Sequence, residues 1–214
     1  FSLLLLLRTC LYVLLLHAPS LQAAPPVFTH EASSDGLAFT LDRNAREPVI
    51  SYRIIDHMLG GEVDRPRLQV FADGRVHLHR PVFMKAAGDH ELQLTAAELN
   101  TLVTGITRSR LIDFNHQNVT DAKRYSMLSR LPQRTHRHKS DSVTTVVEVR
   151  LPAFRASRQG SVVQNFTRVF RYTDIEYEAR QFTEIAELVS AASAVKTLRA
   201  LESRTHSEGR RLKQ

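Results

Sequence analysis

The stretch Arg67–Arg80, RLQVFADGRVHLHR, constrains the fold of this chain more than any other. Side chains on a strand alternate between two faces, so the register of a hairpin here can be tested against the letters. A two-residue Asp73-Gly74 turn pairs Val70 with His77 and Leu68 with His79, mixing apolar and polar residues on both faces. A three-residue loop, Ala72-Asp73-Gly74, pairs Val70 with Val76 and Leu68 with Leu78. It leaves Arg67, Gln69, Phe71, Arg75, His77 and His79 on the opposite face. Only the second register gives one clean apolar face, and it assigns Gly74 the left-handed position of a bulged type I turn.

Other elements follow from period and punctuation. Val49–Leu59 is β-rich, with Ile50, Tyr52 and Ile54 on one side, and Gly60-Gly61 ends it. A polar loop containing Gly88-Asp89 then leads to Leu92-Gln93-Leu94. Thr95 and Glu98 have capping-box spacing, and Leu99, Leu102, Val103 and Ile106 form one helical stripe. That stripe is expected to cover the apolar face of the hairpin. A short helix is expected within Val119–Leu131, ended by Pro132, and then Gln133–Lys139 reads as a basic surface loop. Val143–Leu151 alternates as a strand, Pro152–Ser161 reads as a hairpin loop, and Val162–Tyr172 as the returning strand. Thr173 and Glu176 repeat the capping-box spacing, so one long helix is expected to about Leu201, burying Phe182, Ile185, Val189 and Ala192. The expected fold is α+β: an antiparallel sheet of four to five strands with two main helices packed on one face, in the order β-β-β-α-β-β-α. It occupies residues 49–201 with a basic insertion at 129–141, between a flexible arm at 24–48, within which Leu37–Leu41 offers a short edge strand, and a disordered basic tail at 202–214.

Residues 1–23 carry two leucine-rich runs, Leu3–Leu7 and Leu11–Leu16, split by Arg8-Thr9-Cys10 and followed by a small-residue segment to Ala23-Ala24. The interrupted apolar run matches an export signal cleaved after Ala23 better than a spanning helix. An uncleaved anchor is the rival reading. The protein is therefore expected to be exported, periplasmic or secreted, touching the membrane only through this segment. Cys10 is the one cysteine, so thiol chemistry and cysteine metal sites are not expected beyond the signal. A hydrophobic content of 43% excludes wholesale disorder, and a net charge of +7 favours anionic partners. Export argues against nucleic acid as that partner, and the aromatic residues are not interleaved with the basic runs as stacking platforms would be.

Signatures of catalysis are few. There is no Gly-x-Ser-x-Gly, no Ser-x-x-Lys opening a helix, no phosphate-binding glycine loop and no His-Glu-x-x-His. His77-x-His79 puts two imidazoles on one strand face, but a metal needs more ligands, and His57, His90 or Asp73 are tied to them by no spacing. His136-x-His138 sits among cations that would repel a metal. No cofactor or metal is expected. The candidate binding residues are Arg67, Phe71, His77 and His79 on the ribbon and Arg130, Arg134, Arg137 and Lys139 in the basic loop, with Arg155 and Arg158 nearby in the sequence.

The order of Gly60-Gly61, Pro66–Val76 and Leu94-Thr95-Ala96-Ala97-Glu98-Leu99, followed by a strand pair and a final helix, resembles a loose group of uncharacterised exported bacterial domains. More distantly it is similar to small emfourin-type metalloprotease inhibitors. The likeness covers roughly residues 49–200 and implies no functional residue. The functional expectation is a non-catalytic binding module for a protein or an anionic envelope component. A protease inhibitor and a hydrolase with a dispersed site are the alternatives.

Overall fold

The structure, a computed structural model, describes residues 30–31, 35–56, 65–129 and 142–212. The expected export segment and the basic loop 130–139 lie outside the described residues. The fold is α+β. Among the described residues the strands are β1 (His30–Glu31), β2 (Ala38–Phe39), β3 (Ile50–Asp56), β4 (Leu68–Val70), β5 (Arg75–Arg80), β6 (Gly88–Gln93), β7 (Val143–Arg155), β8 (Val163–Thr173) and β9 (Arg210–Arg211). The helices are α1 (Ala96–Arg108), α2 (His116–Ser129), α3 (Ile175–Gln181) and α4 (Ala186–Glu208). The sheet is antiparallel throughout. Eight strands follow the path β1-β2-β7-β3-β4-β5-β6-β9, and β8 lies along the other edge of β7. β3 pairs with Val143–Val149 and β2 with Phe154 and Arg155, so β2 and β3 lie end to end along one edge of β7.

The hairpin forms in the expected register: Leu68 opposite Leu78, Gln69 opposite His77, Val70 opposite Val76. Leu68, Val70, Val76 and Leu78 are fully buried. Phe71 N–H donates to Arg75 O at 2.8 Å, and Gly74 closes the turn at φ +90°. Gly74 also accepts from Leu94 N–H at 2.9 Å, which ties the turn to the start of α1. Thr95 caps α1 through the full capping box, and Leu99, Leu102, Val103 and Ile106 are buried.

Several expectations are corrected. The sheet has more than four to five strands; the helices among the described residues number four, because the short helix expected within Val119–Leu131 forms as His116–Ser129 beside the two main ones and the C-terminal one is divided. Gly88–Gln93 is a strand, because His90 occupies an inward position opposite Leu78 and Leu92 one opposite Val76. An imidazole in an apolar position hid the alternation. The helix lying over β5 and β6 is α4, while α1 contributes its stripe to the same core from the side. The expected long C-terminal helix is broken at Phe182–Ile185. Thr173 makes no cap: its hydroxyl hydrogen-bonds Thr144 across the strands at 2.8 Å, and Asp174 takes a left-handed backbone at φ 55°. The break resets the helical phase, so α4 buries Leu188, Ala191, Val195 and Leu198, while Val189 is 42% exposed.

Neither end of the expected domain is loose in the described residues. Within the expected flexible arm, the strand expected over Leu37–Leu41 forms as Ala38–Phe39, and Leu37 and Phe39 belong to the core. The expected disordered tail is helical to Glu208, after which Arg210 and Arg211 pair with Glu91 and His90. β7 also runs on to Arg155 through Pro152, where a hairpin loop was expected. Arg150 N–H donates to Val49 O on the β3 edge, so the Pro152 nitrogen, two residues on, faces the gap between β3 and β2. Asn165, opposite Pro152 in register, adopts φ 50°.

A Cβ on residue 74 would meet Leu94 O at 2.6 Å in a backbone conformation that L-residues rarely adopt. Gly74→Ala is therefore expected to cost about 2 kcal/mol, seen as a lower urea midpoint. An unchanged midpoint contradicts this account of the turn.

Candidate functional site

Two surfaces have defined geometry. The first is the polar side of the β4–β5–β6 ribbon. Registers place Gln69 opposite His77, His77 opposite Glu91, and His79 opposite Asp89. His79 Nδ1 lies 2.6 Å from Asp89 Oδ1, and His77 Nε2 is 4.0 Å from the same oxygen. Arg65 Nη1 is 4.0 Å from Asp89 Oδ2. Burial opposes the charge on Asp89, but the His79 hydrogen bond and the neighbouring His77 and Arg65 charges outweigh it and hold the carboxyl below its ordinary range. Burial pushes the His77 imidazole below its ordinary pKa, against the pull of Asp89. The contact fixes one His79 ring nitrogen against the Asp89 carboxylate, which is the orienting half of a proton-transfer site. No hydroxyl among the described residues hydrogen-bonds to His79 as an activated nucleophile would. Nor is any group of three or more His, Cys, Asp or Glu residues placed to hold a metal ion among the described residues.

The expected site residues are only partly brought together. His77 and His79 meet around Asp89, which looked from the sequence like a solvated loop carboxylate. Phe71 sits at the turn end, with the Arg75 guanidinium 4.7 Å above its ring. Arg67 leaves this face: its Nε ion-pairs with Glu202 of α4 at 2.8 Å, and its Nη2 contacts Met84 Sδ. The Arg67 backbone is bonded to Tyr52 and His79 on the neighbouring strands, yet its side chain goes to the largely buried Glu202 carboxylate, which needs a cation. Arg130, Arg134, Arg137 and Lys139 lie outside the described residues. Arg155 donates to Gly36 O at 3.1 Å, and Arg158 N–H to Asp35 O, so that end of the sheet holds the N-terminal segment.

The second surface is a groove of about 950 Å³ between α1 and α4. The helices run antiparallel and are tied at both ends. Arg204 Nη1 donates to Glu98 Oε1 at 2.8 Å, and Arg110 N–H donates to Ser190 Oγ at 3.0 Å. The Thr95 backbone N–H and the Arg204 and Thr95 side chains hold the Glu98 carboxyl down to about 2. Between these ties the residues that face each other across the groove are small and leave its volume unfilled. Ala97, Thr101 and Gly105 recur at every fourth position of α1 and oppose Ser193 and Thr197 of α4. Leu102, Ile106, Ala194 and Leu201 form an apolar floor. A Cβ on Gly105 would meet no atom within 4 Å. Sequence reading missed this groove; the four-residue recurrence of small residues was the available signal.

On the inward side of β6, His90 is 6% exposed and packs edge-to-face on His206 of α4, ring centroids 4.9 Å apart. No atom of the described residues hydrogen-bonds to either His90 ring nitrogen. Burial, then His206, Arg211 and Arg80, push the His90 imidazole below its ordinary range. An unfolded imidazole takes up its proton near about 6.5, while folded His77 and His90 resist it until lower pH. The unfolded chain then holds more protons, so stability falls as pH drops below that value. The urea midpoint is expected to fall between pH 7.5 and 5.5, and His90→Phe to shrink that difference. Equal pH dependence in the variant would show that His90 is not its source.

No family model matches this chain, and neither does any curated protein or solved structure.

Proposed function

We propose that this protein is a non-catalytic binding module that captures an apolar segment of a partner protein in the groove between α1 and α4. The leucine runs within residues 1–23 support placing this activity outside the cytoplasm. The observation that carries the reading is Gly105. A glycine inside a helix costs about 1 kcal/mol relative to alanine, and nothing among the described residues requires its lack of a side chain. The space it leaves opens onto an apolar floor, bounded by Glu98 and Arg204 at one end and Arg108 at the other. An apolar helix or strand fits such a site, with its hydrophobic residues inward and its ends against the charged groups.

The test is selection of displayed peptides against the protein, counter-screened on Gly105→Leu, which fills the groove. Peptides with apolar residues at helical or strand spacing are expected to bind the parent and lose about tenfold or more in affinity for the variant. Gly105→Ala is expected to raise the urea midpoint by about 1 kcal/mol, since the added methyl meets empty space. Failure to enrich any peptide, or equal binding to Gly105→Leu, would sink the groove as the binding site.

A further inference from the structure

β8 is paired on one side only among the described residues, and its bonding pattern can be worked out residue by residue. Asp174 N–H donates to Val143 O, so Asp174 and Val143 form a hydrogen-bonded pair. Antiparallel pairs alternate between bonded and non-bonded, so Tyr172, Phe170 and Arg168 direct their backbone groups at Thr145, Val147 and Val149 of β7. Thr167, Val169, Arg171 and Thr173 then direct their N–H and C=O groups outward, where no described strand receives them. Val169 is 61% exposed. Upstream, Asn165 at φ 50° and Pro152 opposite it disturb the ladder, so the regular free edge begins at Thr167.

The charge on this edge is one-sided. From Arg155 to Thr173 the chain has four arginines and no acidic residue. The side chains of Arg168 and Arg171 are exposed and make no hydrogen bond or ion pair among the described residues. They lie three positions apart and therefore on opposite faces of the sheet, with Val169 and Phe170 between them. A second copy of β8 paired antiparallel here would bring arginine against arginine in the central registers.

We propose that β8 from Thr167 to Thr173 is a docking edge for an extended acidic segment of another protein, which adds as the next strand of the sheet. The complementary pattern is acid-apolar-apolar-acid, one carboxylate facing Arg168, the other facing Arg171, and the apolar pair lying beside Val169 and Phe170. This surface is separate from the α1–α4 groove, so either can fail without the other.

The probe is a nine-residue peptide with a central Glu-Val-Tyr-Glu, read by fluorescence anisotropy and by amide exchange in the unaltered protein. Binding is expected to weaken with salt and to fall about tenfold or more in Arg168→Glu/Arg171→Glu, in a Lys-Val-Tyr-Lys peptide, and in a peptide N-methylated at alternate residues. Backbone methylation keeps every side chain and removes only strand pairing. On binding, the amides of Thr167, Val169 and Arg171 should gain protection, while those of Arg168 and Phe170, already bonded to β7, change little. The proposal is overturned by absence of saturable binding or by full affinity of the methylated peptide. It is also overturned if the double variant self-associates while no acidic peptide binds the parent, which would assign the arginines only to preventing edge-to-edge aggregation.

Discussion

Burial of one side of the β4–β5 ribbon under α4 is the constraint from which the rest of the architecture follows. Leu68, Val70, Val76 and Leu78 are fully buried, and burial of such side chains stabilises by about 2 kcal/mol each. A register slip of one residue would set Val70 against His77 and Leu68 against His79, bringing polar residues into the buried face, so the bulged turn at Gly74 and the core select each other. β3 attaches to β4, β7 to β3, and β8 to β7, each continuing the same inward face. Ile50, Tyr52, Val147, Val149, Phe166 and Phe170 extend that face into one apolar cluster with the buried stripes of α1 and α4.

α1 and α4 are each held to the sheet by a buried stripe along their length, but to one another by polar contacts at their ends. Glu98 reaches Arg204, and Ser190 reaches the backbone after α1, while Thr101, Gly105, Ser193 and Thr197 keep the middle open. Larger residues at those positions would close the groove and add to the core. β8 shows a comparable economy: among the described residues a long strand is left with an open edge that carries arginines. Among the described residues, a helix glycine with no atom beside its missing side chain and a strand edge with no partner both forgo stability that other residues or a pairing strand would supply. That is the physical ground for assigning binding to these two places.

The polar ribbon face was legible as a face but not as a site. Alternation placed His77 and His79 together, and the register of β6 then brought Asp89 to His79. Nothing local announced that strand, because Gly88-Asp89-His90-Glu91 reads as a polar loop until His90 is seen packed against His206. Arg67 was assigned to the same face by parity and went elsewhere, since a carboxylate on α4, far along the chain, was the stronger demand. The capping box at Thr95 formed as its spacing required, whereas the same spacing at Thr173 did not. Thr95 is free to turn toward its own helix, while the Thr173 hydroxyl is already engaged with Thr144.

Short-range information therefore determined the hairpin register, the α1 cap and stripe, and the alternation of β7 and β8, because each depends on residues within a few positions of one another. Tertiary structure decided the number of strands, the break between α3 and α4, the pairing of β9 with β6, the choice of α4 as the cover over the ribbon, and the existence of the groove. Those outcomes depend on which distant segment supplies a missing backbone partner or fills a volume. Such competition between remote parts of the chain leaves no periodic trace in the letters.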